Sequence, residues 1–229
     1  MGFYDQLAMY YDEVFPFDKV THQFLRKQVD RGRVLDVGCS TGAYATKLDE
    51  EDQLIVKGID LNEEMVKLAN KRVGTASFEV RDMRDIDEKK YFDFIYTIDN
   101  TFAHLDGYEE MKSVLKILLD ALKNDGTLVI QIMNFARVFR RSVTELPLIE
   151  TKHVKYSRHI QHKEGKILLK TVLKTKLDRF VSEVLFYPLT KAELEMMVDK
   201  MKAKVKFYGS FKEEPFKDDS YDLIAVIKK

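Results

Sequence analysis

Residues 34–42 read Val-Leu-Asp-Val-Gly-Cys-Ser-Thr-Gly, and this stretch determines the predicted fold. The apolar run at 34–37 is typical of a strand that a parallel sheet buries on both faces. Gly38 and Gly42 then bracket a tight turn, and a helix is predicted to begin at Ala43. A strand, a glycine turn and a helix in this order let backbone amides approach a ligand closely.

Asp36 interrupts the apolar run, and a carboxylate on a buried strand is costly unless another group pairs with it. The acid and the two glycines are spaced D-x-G-x-x-x-G rather than G-x-G-x-x-G. The second pattern is the fingerprint of dinucleotide-binding folds, whose glycines pack against a pyrophosphate. We therefore expect that NAD does not bind to this loop.

Three further apolar runs also end in polar residues. The run 53–59 ends at Asp60, and an acid roughly 20 residues beyond the glycine loop is placed to accept both hydroxyls of a ribose. The run 77–81 precedes Asp82-Met83, an acid and an apolar side chain that could take an exocyclic amine and cover a purine. The run 91–98 leads into the polar segment 99–105. In an open α/β sheet, such carboxyl ends form the binding crevice.

This pattern resembles the class I S-adenosylmethionine-dependent methyltransferases from about Tyr4 to Ile132, and again at the C-terminus. The acid–glycine loop matches the first motif of that family, Asp60 the acid after strand two, and Asp82-Met83 the adenine-contacting motif. The resemblance implies S-adenosyl-L-methionine as the cofactor. The cofactor-binding residues that it implies are Tyr11, Asp36, Gly38, Cys39, Gly42, Asp60, Leu61, Met65, Asp82, Met83 and Asp99.

Segment 99–105 resembles the G-N-S-x-x-H-L segment of glycine and sarcosine N-methyltransferases and related small-molecule enzymes, although Asp99 and Thr101 depart from it. Asn100 and His104 are the candidate catalytic residues, because the strand before them should lie beside strand one, near the methyl end of the cofactor. His104 could deprotonate an amine, or it could be a backbone-bonded histidine without a catalytic role. No second His, Asp or Glu forms a convincing metal set with His104, so no metal is expected.

Candidate acceptor-binding residues come from the N-terminal segment, the end of strand five and a later insert. Tyr10 could belong to a lid or could only pack the N-terminal helix. Arginines can hold a carboxylate or a phosphate, and one arginine of the insert alternates with apolar residues, so it could point inward. The candidate residues are Tyr10, Asn134, Arg137, Tyr156 and Arg158.

Composition narrows the range of partners and locations. The 229 residues include 38 Lys and Arg against 38 Asp and Glu, so no global field attracts nucleic acid. The single cysteine, Cys39, excludes an internal disulfide and fits a reducing compartment, so a cytoplasmic location is expected. No segment approaches the roughly 18 uninterrupted apolar residues that span a bilayer, so no membrane partner is expected. Oligomeric state is not indicated.

The predicted fold class is α/β: a doubly wound, seven-stranded, Rossmann-like methyltransferase sheet with an antiparallel β insert. Residues 1–133 and 188–229 should form the cofactor-binding core, and residues 134–187 the insert, which should form a lid. Two helices are predicted within 3–29. The alternation after residue 151 and the turn at Gly165 predict three antiparallel strands.

The function predicted from these patterns is methyl transfer from S-adenosylmethionine to a small molecule, with an amine nitrogen as the preferred acceptor. One alternative within the class is a nucleic-acid or protein methyltransferase. Base-modifying members often carry [DNS]-P-P-[YF] after strand four, whereas residues 99–102 have neither proline. The other alternative is a non-catalytic nucleotide-binding module on the same fold.

Overall fold

The computed structural model describes residues 2–51 and 53–229, which form two β-sheets. The larger sheet has seven strands: β1 (Gly32–Val37), β2 (Leu54–Asp60), β3 (Ser77–Val80), β4 (Phe92–Thr97), β5 (Leu122–Met133), β10 (Lys204–Tyr208) and β11 (Asp222–Lys228). The smaller sheet has four: β6 (Glu145–Glu150), β7 (Lys155–Lys163), β8 (Lys166–Lys174) and β9 (Arg179–Phe186). We call this smaller sheet the lid.

The order of strands in the larger sheet is β10-β11-β5-β4-β1-β2-β3. Strands β1 to β5 are parallel, whereas β11 runs antiparallel to both β5 and β10. Because β1 pairs with β2 on one side and β4 on the other, the strand order reverses at its carboxyl end. That reversal is the point at which open α/β sheets bind ligands. The fold class predicted from the sequence is therefore confirmed.

Eight helices are described, and most of them connect or flank the strands of the larger sheet. They are α1 (Phe3–Ala8), α2 (Tyr11–Val14), α3 (Lys19–Arg26), α4 (Ala43–Asp49), α5 (Glu63–Ala69), α6 (Tyr108–Ala121), α7 (Phe135–Arg140) and α8 (Lys191–Lys200). Side-chain caps fix several of the helix starts, among them Asn62 on α5 and Thr190 on α8. None of the helices in the described residues is long and apolar enough to cross a membrane.

Three elements differ from the sequence prediction. The N-terminal segment holds three helices instead of two. Helix α1 ends at Ala8, and the backbone of Tyr10 is not helical, so a separate helix, α2, begins after it. The tripeptide Asn-Asp-Gly at 124–126 predicts a turn before the fifth strand, but β5 already begins at Leu122 and includes this tripeptide as an irregularity of its pairing with β4. The lid has a fourth strand, β6, whose register with β7 shifts around Pro147, a residue that an edge strand tolerates.

The lid packs against the parallel sheet through two apolar clusters. The first cluster contains Ile160, Ile167 and Phe186 of the lid together with the buried residues of the main core. The second joins Tyr156 and Leu173 to the N-terminal helices and α5. Because both clusters are buried, the lid is fixed over the carboxyl ends of the parallel strands instead of projecting into solvent.

Candidate active site

A pocket of about 340 Å³ lies where β1, β2 and β4 end. Its walls come from the glycine loop, from the residues after β2, β3 and β4, and from the N-terminal helices α1 and α2. This volume lies within the range of small-molecule sites. The pocket therefore occupies the crevice that the strand ends predict.

The glycine loop approaches its neighbours too closely for a side chain. Gly38 has φ +81°, and a Cβ there would lie 2.4 Å from the side chain of Thr101. Gly42 has φ +78°, and a Cβ there would lie 2.7 Å from the ring of Phe78. Gly38 lines the pocket, whereas Gly42 starts α4 behind it. The two glycines thus allow different close contacts: Gly38 packs against the segment after β4, and Gly42 packs against the ring of Phe78 at the start of α4.

Asp60 lies in the pocket wall, and two backbone amides fix its carboxylate. Its Oδ2 accepts a hydrogen bond from Ser40 N at 2.9 Å, and its Oδ1 accepts one from Asn62 N at 2.9 Å. Burial raises the pKa of this carboxyl, and the amide hydrogen bonds partly offset that effect. Each carboxylate oxygen can accept more than one hydrogen bond, so a ligand hydroxyl can still be bound.

Asp36 is paired inside the sheet rather than exposed in this pocket. The hydroxyl of Tyr96 donates to its Oδ2 at 2.8 Å, and burial raises the pKa of Asp36 to about 8. With Cys39, it borders a second cavity of about 260 Å³ beneath α2. Tyr11 and Asp99 line both cavities, so the two adjoin. Burial also raises the pKa of the Cys39 thiol and that of the Tyr11 hydroxyl, which both stay protonated near neutral pH.

The end of β4 turns sharply, because Asp99 and Asn100 both have positive φ, at 55° and 68°. Asp99 lines the pocket, and burial raises the pKa of its carboxyl to about 6. Asn100 differs from the sequence prediction: its Oδ1 accepts a hydrogen bond from Met133 N at 2.6 Å, and it does not line the pocket. This hydrogen bond joins the end of β4 to that of β5, and a contact between Asn100 and an acceptor stays a prediction.

His104 does line the pocket. Its ring centroid lies 6.4 Å from that of Tyr4 and 5.0 Å from that of Phe186. The surrounding protein lowers the pKa of His104, so the imidazole is neutral near pH 7. Among the described residues, no hydrogen bond to its ring nitrogens is present, so the alternative of a backbone-bonded histidine is not what the structure contains.

The adenine-contacting motif is divided between two environments. Met83 lines the pocket, as do Leu61 and Met65. The Asp82 carboxylate instead accepts from Arg84 N at 2.8 Å and pairs with the Arg84 guanidinium, which lowers the pKa of Asp82. Asp82 therefore caps the short turn Met83–Asp85 and differs from the sequence prediction, because a nearby arginine takes the carboxylate.

Three of the predicted acceptor-binding residues have structural roles outside the pocket. Tyr10 packs in the N-terminal apolar cluster. The buried Asn134 caps α7 and donates to the carbonyls of Asp218 and Ser220. The Arg137 guanidinium lies over the ring of Tyr221, 5.5 Å from its centroid. The packing of Tyr10 is the alternative that the sequence left open, whereas the carbonyls that Asn134 binds and the ring under Arg137 are distant in the chain and could not be predicted.

The other two predicted acceptor residues, Tyr156 and Arg158, lie on the inner face of the lid. Seven residues that line the pocket were not among the predicted site residues: Tyr4, Val37, Ser40, Ile59, Asn62, Arg81 and Thr101. Tyr4 shares the i, i+3, i+7 spacing of Leu7 and Tyr11, so extending that apolar stripe by one turn could have found it.

Comparisons with known proteins agree with this geometry. Residues 34–126 match a family model described as "Methyltransferase domain". A "Putative methyltransferase YqeM" of Bacillus subtilis is 29% identical over 136 residues, which are 56% of this chain and 55% of that protein. A dTDP-4-amino-2,3,4,6-tetradeoxy-D-glucose N,N-dimethyltransferase of Saccharopolyspora spinosa is 30% identical over 98 residues, 43% of this chain and 39% of that protein. The chain thus spans about half or less of the length of these two relatives.

The structural similarity to known proteins covers more of the chain than the sequence similarity does. The crystal structure of an S-adenosylmethionine-dependent methyltransferase from Clostridium acetobutylicum superposes with a TM-score of 0.84 at 15% identity. The superposition covers 98% of this chain and 98% of that one, so it includes the lid. At this identity the likeness concerns the fold alone.

Proposed function

We propose that the chain is an S-adenosylmethionine-dependent methyltransferase that methylates an amine nitrogen of a small molecule. The match of residues 34–126 to a methyltransferase-domain model and the fold that the chain shares with such an enzyme support this proposal. The observation that carries the proposal is that one pocket contains a fixed acid, Asp60, and a neutral histidine, His104, from strands on either side of β1. The first suits a ribose, and the second suits an amine that must lose a proton.

The residues present fit S-adenosylmethionine. The Asp60 carboxylate, already held by two amides, would accept the ribose hydroxyls. Met83 and Leu61 supply the apolar surface that an adenine ring needs. Gly38 and Asp99 line both this pocket and the second cavity, and the Asp99 carboxyl would face the positively charged remainder of the cofactor. When bound, the cofactor supplies an electrophilic methyl group on a sulfonium.

The remaining task of the chain is to align the acceptor and accept its proton. In-line displacement needs little covalent help from the protein, so positioning supplies most of the acceleration. An amine reacts only through its free lone pair, and His104 is available to accept the proton because its imidazole is neutral near pH 7 and no described residue occupies its ring nitrogens. The Tyr4 and Tyr11 rings, from α1 and α2, reduce the access of water to this end of the pocket.

The choice of an amine acceptor draws support from the activity for which the Saccharopolyspora relative is named, the dimethylation of an amino sugar. The experiment is a paired measurement on the purified chain. Calorimetry would measure S-adenosylmethionine binding, and release of S-adenosylhomocysteine would be followed with a panel of amino sugars and amino acids. Saturable cofactor binding without transfer to any amine, but with transfer to oxygen or carbon acceptors, would contradict the proposal.

A further inference from the structure

A row of polar residues crosses the inner face of the lid, which is otherwise apolar. Arg158 of β7 lies opposite Thr171 of β8, which in turn lies opposite Ser182 of β9. Thr171 is buried, with 5% of its surface exposed. Because side chains alternate along a strand, these three residues share one face of the sheet. We call them the polar row.

The polar row separates the two apolar clusters that anchor the lid. On one side, Tyr156 and Leu173 belong to the cluster formed with the N-terminal helices. On the other side, Ile160 belongs to the cluster of the main core. Tyr4 of α1 and His104 after β4 face each other in the pocket wall, and Phe186 of the lid contacts His104. The boundary between the clusters therefore leads from the polar row toward the pocket.

The positive charge of the Arg158 guanidinium is poorly compensated by the groups around it. Its Nη2 donates to the carbonyl of Pro147 at 3.2 Å, and its carbon lies 5.5 Å from the ring centroid of Tyr156. Its Nε is buried without a hydrogen-bond partner, and no carboxylate of the described residues forms an ion pair with it. Arg141, in contrast, pairs with Asp219 at 2.7 Å on the surface. A partly buried cation without an anion is costly, which favours a site that a ligand completes.

Tyr156 links this cation to the pocket. Burial raises the pKa of Tyr156 to about 12. The charge of Arg158 lowers this pKa, and the nearby Tyr4 hydroxyl raises it. The Tyr156 hydroxyl is thus within electrostatic reach of both Arg158 and Tyr4, a residue of the pocket wall. A ligand that extends from His104 past Tyr4 would meet the polar row.

We propose that Arg158, with Thr171 and Ser182 beside it, binds an anionic group of the methyl acceptor, either a carboxylate or a phosphate. This inference rests on the proposed function, and it narrows the acceptor to an amine that also carries an acidic group. A guanidinium can donate two parallel hydrogen bonds to either anion, which makes it a strong and directional anchor. The lid would then select acceptors by charge, whereas His104 acts on the amine.

The first test measures anion binding and needs no turnover. Wild-type protein labelled with ¹⁵N would be titrated with inorganic phosphate and, separately, with acetate, in the presence of S-adenosylhomocysteine. The arginine Nε–H signals would be assigned through bonds. We expect a saturable shift of the Arg158 signal and no saturable shift of the Arg141 signal, and the more effective probe distinguishes phosphate from carboxylate. If neither anion shifts the Arg158 signal saturably, the inference is wrong, whatever the enzyme methylates.

The second test uses matched acceptors: glucosamine 6-phosphate against glucosamine, and glycine against glycinamide. We expect the wild type to prefer the acidic member of at least one pair. Arg158→Gln should raise KM for that member by about 10- to 150-fold, the range for a hydrogen bond to a charged group, and should leave the neutral member unchanged. Arg141→Gln is the control and should change neither.

The outcomes separate the two proposals. Equal loss for both members of a pair in Arg158→Gln, or a wild-type preference for the neutral members, would overturn the anion site and leave amine methylation intact. Saturable anion binding at Arg158 in a protein that does not bind S-adenosylmethionine would refute the proposed function and retain the anion site.

Discussion

At the residue scale, Asp60 is the side chain on which cofactor binding should depend most. Asp60→Ala removes a carboxylate that two amides hold in the pocket wall, so ribose hydroxyls lose a charged acceptor. We expect the affinity for S-adenosylmethionine to fall by roughly 1.5–3 kcal/mol, the usual contribution of a hydrogen bond to a charged group. Isothermal titration calorimetry measures this loss directly.

The control for that measurement is Asp93→Ala. Asp93 lies near the start of the parallel strand β4 and forms an ion pair with Lys123 at 2.7 Å, but it lies outside the pocket. Unchanged affinity in Asp60→Ala, or an equal loss in Asp93→Ala, would show that Asp60 does not hold the cofactor.

His104 makes a separate prediction, because it affects the chemical step and not cofactor binding. His104→Gln keeps a polar side chain of similar size but cannot accept a proton at neutral pH. We expect kcat to fall by about 10²- to 10⁴-fold, the range for general acid–base catalysis, with S-adenosylmethionine affinity unchanged. Steady-state kinetics with an amine acceptor would decide. A rise in KM alone would indicate that His104 only binds the acceptor.

Single residues also show where sequence reasoning succeeds and where it fails. Asp60, Met83 and His104 follow strand ends, and strand ends meet at one edge of a parallel sheet, so position in the chain was enough to bring them to the pocket. Asp82 and Asn100 also follow strand ends, but each accepts a hydrogen bond from a backbone amide: Asp82 from the nearby Arg84 N, and Asn100 from Met133 N on the neighbouring strand. Side-chain partners of this kind depend on distances that periodicity does not contain.

At the scale of elements, the lid is both a cover and a part of the core. Phe186 of β9 is 2% exposed and packs against His104 and Phe135. Phe186→Ala should therefore lower the free energy of unfolding by about 3–5 kcal/mol, the range for removing a buried phenylalanine. Chemical denaturation would measure the change. Val181→Ala, on the exposed face of the same strand, should cost less than about 0.5 kcal/mol.

A small effect of Phe186→Ala would mean that the lid folds and moves independently of the sheet. That outcome would favour the division predicted from the sequence, in which residues 134–187 form a separate insert. A large effect would make the lid an integral layer of one domain, so that a deletion variant lacking the insert would not retain cofactor binding.

The elements themselves were predictable to different extents. The parallel strands carry continuous apolar runs bounded by acids and glycines, so the ends of β1, β2 and β4 were located to within a few residues. Strand β6 was missed, because in Glu145–Glu150 only two of six residues are even partly buried and the segment contains Pro147. An edge strand of this kind has little hydrophobic pattern, and its pairing with β7 depends on tertiary context.

At the scale of the whole molecule, the equal numbers of acidic and basic residues conceal an uneven distribution of charge. Asp36, Asp60, Asp99 and Asp222 all lie near the carboxyl ends of the parallel strands, and the loss of hydration there raises the pKa of each carboxyl. Net charge counted from the sequence could not reveal this concentration, because it arises only when the strands align. Asp60 and Asp99 line the pocket, and carboxyls of this kind suit a cationic ligand, which would stabilise their ionised forms.

Asp36 gives this arrangement a measurable consequence for stability. Its folded pKa is about 8, whereas an unfolded aspartate titrates near about 3.9, so between these values the folded state keeps a proton that the unfolded state has lost. Stability therefore falls as pH rises through this window, by at most about 1.4 kcal/mol per pH unit, and levels off above about pH 8.

Asp36→Asn removes the titration, while its amide oxygen can still accept from Tyr96. We expect the free energy of unfolding of the variant, relative to wild type, to increase steadily from pH 5 to pH 8 in denaturant titrations. The difference between the two proteins cancels the contributions of Asp99 and Asp222, which act in the same direction at lower pH. Parallel profiles over this range would mean that Asp36 is already ionised in the folded protein, stabilised by the Tyr96 hydroxyl.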